Sequence, residues 1–319
     1  MQNSDEVRSQ SSEGRVQKCG HSRGFVSWCL GGAFRVTLCG IVGLLLLLAG
    51  CAGAGRVEPT SPAIPLEPEA TVELGSPAAA IGVDGESLLV LENSGTRVVR
   101  YATSLVVRRG DNESKRMQLH VLDTIPLTER VTAPAGILAD KFYIYVHDDR
   151  TLYRMSREKL TLRPWLGDVR VAGLAGFETG IMLVSDADRG AIWYKGLFGE
   201  SHMFISSAEI ARPGAMVALP DGNFAVLSAA SWLLYFFNRS GVVTRSVSLP
   251  AACDLLAANR QGTLVMGLRG KPQTWVWKAG KVTGYSLPDA TSPLSIAMVG
   301  DRLVLLDAGT RLSVYRIGD

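Results

Sequence analysis

The chain has 319 residues, of which 33 are basic and 30 acidic, and it is rich in glycine, with 34, and poor in cysteine, with 5. So even a charge gives no reason to expect a nucleic-acid partner, which needs a basic patch or stripe. Val, Leu and Ile are abundant, and no segment after residue 60 keeps a helical period for long, so the composition reads as all-β.

In chain order, the first informative segment runs from Arg35 to Cys51. A cation precedes an apolar run, Val36 to Gly50, of 15 residues. A spanning helix needs about 20, whereas this length, with small residues at its end, fits the h-region of a signal peptide. Ala52, Gly53, Ala54 and Gly55 follow, with no continuing helix pattern and no stop-transfer charge cluster. An uncleaved anchor or a buried core helix are the alternatives. Leu48-Ala49-Gly50-Cys51 resembles the lipobox of bacterial lipoproteins. The resemblance implies cleavage between Gly50 and Cys51, a lipid on the Cys51 sulfur, and a domain held at a membrane outside the cytoplasm, in the cell envelope. Ala52 stands where an Asp would signal inner-membrane retention in enteric lipoproteins, which points to the outer membrane in an organism that has one. The polar stretch before Arg35 is long for a signal n-region, and a start nearer Arg35 accounts for it. Cys19, His21 and Cys29 lie within that stretch without the spacing of a zinc site.

The expected organisation is thus a signal peptide over 1–50, a lipidated tether over 51–69 and a folded domain over 70–319. From Cys51 onward 28 basic residues face 27 acidic ones, too even a balance for a polybasic membrane patch, which the lipid makes unnecessary. Cys253 is the one other cysteine of this part, so the domain holds no internal disulfide, and a lone thiol of this kind reads as a small buried apolar residue. Prolines at 59, 62, 65 and 68 disfavour both helix and ladder pairing, giving an extended spacer.

Beyond the spacer a unit recurs. Each copy has a short apolar strand opening near Pro or Ala, a tight turn, a stronger apolar strand, a loop, and a third strand bearing Tyr or Trp. The copies open near Pro77, Pro134, Val171, Pro213, Ala252 and Pro293. Their second strands include Leu88–Leu91, Phe142–Val146, Ile181–Asp186, Phe224–Leu227, Thr263–Met266 and Leu303–Asp307. Five of the six first turns carry glycine, as in Asp84-Gly85 and Asp221-Gly222, which supplies the positive φ that tight hairpins require. The second has Ala139-Asp140-Lys141 instead. A period of about 40 residues is blade-sized, and the one long interval carries its excess in the charged stretch Arg108–Arg116. Six such units predict a closed six-bladed β-propeller, because a blade covers its two faces only against neighbours. The sixth copy ends after its third strand, and Ala70–Gly75 has the pattern of an outer strand. Residues 70–75 are therefore predicted to complete the last blade and close the ring; an open arc would leave an exposed edge.

The units resemble NHL-type propellers over residues 70 to 319, in strand layout more than in motif. The family's Asp after the second strand stands at Asp186 and Asp307, with Glu92, His147, Ser228 and Gly267 elsewhere. No Trp-Asp dipeptide closes a blade as in WD-type rings, and an eight-bladed quinoprotein-like ring would need more chain. The resemblance implies a binding platform, with calcium-dependent lactonases among the enzymatic relatives, which need convergent carboxylates at the channel. Asp186-Ala-Asp188 and the His147-Asp148-Asp149 cluster are the metal candidates, set against structural turns and a solvated loop; Glu178, Asp254 and Asp307 are scattered acids. Trp275 and Trp277 share one strand face and read as blade packing, or as a sugar-stacking surface. Tyr235-Phe236-Phe237 reads as core. No hydrolase elbow, zinc-protease or phosphate-loop motif occurs. The expectation is an envelope lipoprotein, monomeric and without cofactor, whose ring binds a protein or peptide; a metal-dependent hydrolase or a glycan or small-ligand receptor are the alternatives.

Overall fold

The computed structural model describes residues 63–108, 114–178, 180–206, 210–289 and 291–318. The expected signal peptide, Gly50, Cys51 and the spacer before residue 63 lie outside the described residues.

The described chain is all-β, in six sheets, antiparallel throughout their four blade strands, that form a six-bladed β-propeller. Blade 1 is Ala78–Asp84, Ser87–Glu92, Arg97–Arg108 and Ser114–Pro126. Blade 2 is Gly136–Ala139, Tyr143–His147, Leu152–Ser156 and Leu162–Leu166. Blade 3 is Val171–Glu178, Ile181–Asp186, Ala191–Lys195 and Ser201–Ile205. Blade 4 is Pro213–Ala218, Phe224–Ser228, Leu233–Phe237 and Val243–Ser248. Blade 5 is Leu255–Ala258, Leu264–Gly267, Gln273–Lys278 and Lys281–Ser286. Blade 6 is Pro293–Val299, Arg302–Asp307 and Arg311–Arg316, completed by Pro68–Glu73 from the start of the domain. The extra residues of blade 1 lengthen its outer hairpin, whose two strands run 12 and 13 residues.

Burial explains why the second strands are unbroken apolar runs. In blade 1, Leu88 and Val90 face blade 6, where they meet Val304 and Leu306, while Leu89 and Leu91 face blade 2 and meet Ile144 and Val146. A strand buried on both faces reads as a continuous run, not an alternating one. The same arrangement recurs, so that each of the six seams between blades holds its own apolar cluster. The inner strands contact one another in succession, and that of blade 6 contacts that of blade 1. Gly82 and Gly173 permit this approach: a Cβ would lie 2.5 Å from the Ile137 carbonyl oxygen at Gly82 and 2.7 Å from that of Gly214 at Gly173.

The five glycines of the first hairpins, at 85, 180, 222, 262 and 300, all have φ between +62° and +81°. Blade 2 replaces glycine with Asp140, whose carboxylate accepts the N–H groups of Phe142 and Tyr143, both at 2.8 Å. This local Asx geometry is a turn in its own right. The same carboxylate also accepts the Gly180 N–H of blade 3 at 2.8 Å.

Closure is by the N-terminal strand, and it begins earlier than residue 70. The strand runs Pro68–Glu73, with Pro68 opposite Tyr315 and Glu73 opposite Arg311. Arg302, at the start of the second strand of blade 6, has a side chain 6% exposed and donates to Glu69 at 2.8 Å. Just before, Ile64–Pro65 adds a parallel strand to the edge of blade 5. Leu66 follows, donating its N–H to Ser286 and burying its side chain in the seam of blades 5 and 6. The spacer reading of 51–69 is therefore corrected for its last residues, which belong to the ring. Proline is tolerated there because the strand lies on a sheet edge, where a ladder donor is not needed on the free side.

Candidate functional site

Hairpin topology divides the ring into two rims. The first-to-second and third-to-fourth strand turns lie at one end, here the lower rim. The second-to-third turns and the crossings between blades lie at the other, the upper rim.

The upper rim holds the position of the NHL-type acid, at the end of each second strand. Asp186 is fully buried. Its carboxylate accepts the N–H groups of Asp188 and Arg189 at 3.1 and 3.2 Å, the Arg189 guanidinium at 2.9 Å and the Trp193 indole at 3.3 Å. Asp307 likewise accepts the Ser292 N–H at 2.6 Å and the Arg311 guanidinium. Glu92 binds Arg97 at 2.5 Å. Ser228 takes the place in blade 4 and donates to the Ala211 carbonyl at 2.7 Å. These groups fasten turns and crossings, which is why they are buried and polar together.

The metal candidates do not converge. Asp188 points outward and pairs with Arg150 and Arg170 at 3.1 and 3.2 Å. His147 is buried against Gly136, and its Nδ1 lies 2.8 Å from the Asp148 carbonyl oxygen. Burial holds its imidazole below the usual histidine range, a push that the Asp148 contacts oppose and Arg269 reinforces. Asp148 turns its own carboxylate to the N–H groups of Arg150 and Thr151 at 2.8 and 2.6 Å. Among the described residues no three His, Cys, Asp or Glu side chains gather as a metal site requires.

The channel itself is apolar. Its middle, about 340 Å³, is lined by inner-strand residues such as Ile81, Leu138, Leu174, Met216, Leu256 and Met298. Glu178, Asp254 and Asp307 are not among its lining, so the convergent carboxylates that a lactonase-type site needs are not found there. Cys253 is buried in the seam of blades 4 and 5, and burial, helped by Asp254, pushes its thiol up to about 12. A thiol so raised is inert at neutral pH.

The lower rim carries the open surface. A depression of about 480 Å³ at the channel mouth is lined by Glu86, Pro220, Asn259, Arg260, Gln261 and Met298, among others. Leu219, Pro220, Arg260 and Gln261 also line a groove of about 600 Å³ that runs out between blades 4 and 5. The two adjoining spaces share these four wall residues and together make up the trough. Its outer part holds Phe236, Trp277, Arg245, Asp221, Asn223 and Thr244. Phe236 and Trp277 meet with ring centroids 4.8 Å apart, and the Arg245 guanidinium lies 5.6 Å from the Trp277 centroid. The Trp277 indole nitrogen is buried with no hydrogen-bond partner.

The strand logic explains this placement. Trp275 and Trp277 do share one face, and Trp275 is buried in the seam of blades 4 and 5. Trp277, two residues nearer the lower rim, is only half-buried and walls the groove. In Tyr235-Phe236-Phe237, Phe237 enters the seam with blade 3 and Phe236 the seam with blade 5. Phe236 is thus both core and groove wall. Arg260, Gln261 and Arg245 carry no motif; Arg260 and Gln261 have a hairpin-turn position as their one signal, and Arg245, within an outer strand, has none.

No family model and no curated protein matches the chain. Solved structures do. A selenomethionine-substituted virginiamycin B lyase from Staphylococcus aureus is similar with a TM-score of 0.56 at 10% identity, covering 78% of this chain and 99% of that one. A streptogramin B lyase gives 0.54 at 12%, covering 80% and 87%. The WD40 propeller domain of Doa1 gives 0.58 at 12%, covering 80% and 98%. At such identities the likeness is one of fold: a β-propeller built from the same kind of blade.

Proposed function

We propose that this is a lipid-anchored protein of the cell envelope, acylated on Cys51, whose propeller binds a polypeptide segment along the lower-rim trough. The observation that carries the reading is the trough itself. It joins an aromatic floor, Phe236 and Trp277, to exposed hydrogen-bonding groups, Gln261 and Arg260, at the mouth of an otherwise apolar channel. Apolar pockets with a few oriented polar groups are where proteins hold ligands, and aromatic and Arg side chains dominate polypeptide recognition. Arg245 and Arg260 line the groove with Asp221 as its one acid, a positive balance that suits a segment with acidic or amide side chains.

The alternatives fit less well. Lyase activity in fold neighbours belongs to those proteins, and among the described residues Glu92, Asp186, Asp307 and His147 are engaged at turns and crossings while His120 and His202 lie on outer strands. A sugar would need a free ring face, and Phe236 and Arg245 already lie against Trp277. The ring is taken to act as a monomer.

The test has two arms in intact cells. Labelled palmitate is expected to enter the protein and to be lost in Cys51→Ala. A photo-crosslinker at position 261 is expected to capture a specific membrane-fraction protein, with or without a chelator, and Arg260→Glu to reduce the capture tenfold or more. No labelling, or capture indifferent to Arg260→Glu, overturns the corresponding half.

A further inference from the structure

A second site stands apart from the trough, on the lower rim where blade 2 faces blade 3. The ladder register places Arg163 directly opposite Arg154. Like charges directly opposite on one sheet face destabilise it. Yet neither guanidinium has a carboxylate partner among the described residues, and Lys159 joins them at the same pocket of about 330 Å³. Arg154 is fixed between two rings, 4.6 Å from the Tyr143 centroid and 4.5 Å from that of Trp165, and its Nη1 donates to the Leu197 carbonyl at 3.1 Å. Just behind it Lys195 is buried, donating to the Gly199 carbonyl at 2.7 Å. Of the acids nearby, Asp140 binds Tyr145 and the Gly180 N–H, Glu200 acts on Lys195, and Glu158, beside Lys159 in the chain, is exposed and outside the pocket lining.

The fold therefore concentrates three cations and two aromatic rings in a pocket whose described lining holds no carboxylate. We propose that this pocket binds a phosphate group, held by Arg154, Arg163 and Lys159. A carboxylate, with one charge, would leave the cluster strongly positive. A phosphate carries about −1.5 to −2 with three acceptor oxygens, and paired Arg forks match its geometry bidentately. Arg154 is already oriented by its stacking and by Leu197, so little side-chain freedom is lost on binding. Phe142, Leu160 and Phe198 expose apolar side chains on the lower-rim turns of these same two blades, at 52%, 40% and 92%. The phosphate could therefore come from a lipid headgroup or from a soluble compound.

The experiment separates the two. Calorimetry of the full-length protein in detergent, titrated with inorganic phosphate, is paired with flotation on vesicles of neutral lipid with or without phosphatidic acid, whose headgroup is a phosphate monoester. The acyl chains proposed on Cys51 would hold the protein on any bilayer, so the flotation signal is the difference between charged and neutral vesicles at raised salt. Arg163 is exposed, and Arg163→Ala keeps the ring intact. Saturable phosphate binding that Arg163→Ala weakens tenfold or more supports a soluble phosphate ligand. An Arg163-dependent preference for charged vesicles with weak phosphate binding supports a headgroup. Neither response, or responses unchanged by Arg163→Ala, overturns the proposal.

Discussion

The upper ends of the second strands and the lower-rim spaces use polar side chains in opposite ways. Asp186, Asp307, Glu92 and Ser228 sit at equivalent upper positions, are buried, and spend their hydrogen-bonding capacity on their own turns and crossings. Arg260, Gln261, Arg163 and Lys159 on the lower rim are exposed and line open spaces. The repeat thus places its recurrent chemistry where it holds the ring together. Chemistry able to meet a partner is left at positions that differ from blade to blade.

Mutation breaks the comparison most sharply at the buried acid. Asp186→Ala removes the acceptor of two turn N–H groups, an indole N–H and a guanidinium. An expected loss of about 3 kcal/mol follows from the cost of unsatisfied buried donors and charged hydrogen bonds, read as a drop in the denaturant midpoint with no change in crosslinking per folded molecule. Glu69→Ala comes next. It leaves Arg302 buried with only Asp301 as partner and weakens the closing strand, for an expected loss of about 2 kcal/mol. Hydrogen exchange should then rise first in Pro68–Glu73 and Arg311–Arg316.

A smaller effect is expected from pH. His147 is held neutral by burial, below its ordinary value of 6.5. As pH falls, the unfolded chain takes up the proton first, so the stabilisation is complete above pH 6.5 and is lost as pH drops through the lower folded value. The denaturant midpoint is expected to decline between pH 7 and pH 5, and His147→Gln to flatten that decline. The smallest effect belongs to the lower rim. Arg163→Ala is expected to shift stability by less than about 0.5 kcal/mol, as for other exposed positions, and toward higher stability, since it removes a like-charge pair. A loss as large as that of Asp186→Ala would erase the distinction between the two regions.

How much of this was legible follows from the same division. Leu88–Leu91 and its counterparts are read correctly as blade centres because burial on both faces leaves an unbroken apolar run. The hairpin glycines keep register with them because only positive φ closes those turns. The closing strand was visible as a pattern, though its start was missed: Ile64, Pro65 and Leu66 pair and pack on a sheet edge where proline costs no ladder bond. The sites were hidden for a physical reason. Arg154 and Arg163 become neighbours only through the pairing register of two strands, and Phe236 and Arg245 meet Trp277 only because blades 4 and 5 are adjacent. Neither relation leaves a local motif. Asp186 and Asp188, conspicuous in sequence, are conspicuous for their turn.

The most direct test of the lower rim as the binding surface compares matched photo-crosslinkers in living cells, one at Gln261 in the trough and one at Asn93 on an exposed upper-rim turn. A discrete crosslinked species from position 261, lost with Arg260→Glu and not formed from position 93, is the expected result. A species formed equally from both positions, or from position 93 alone, would contradict it.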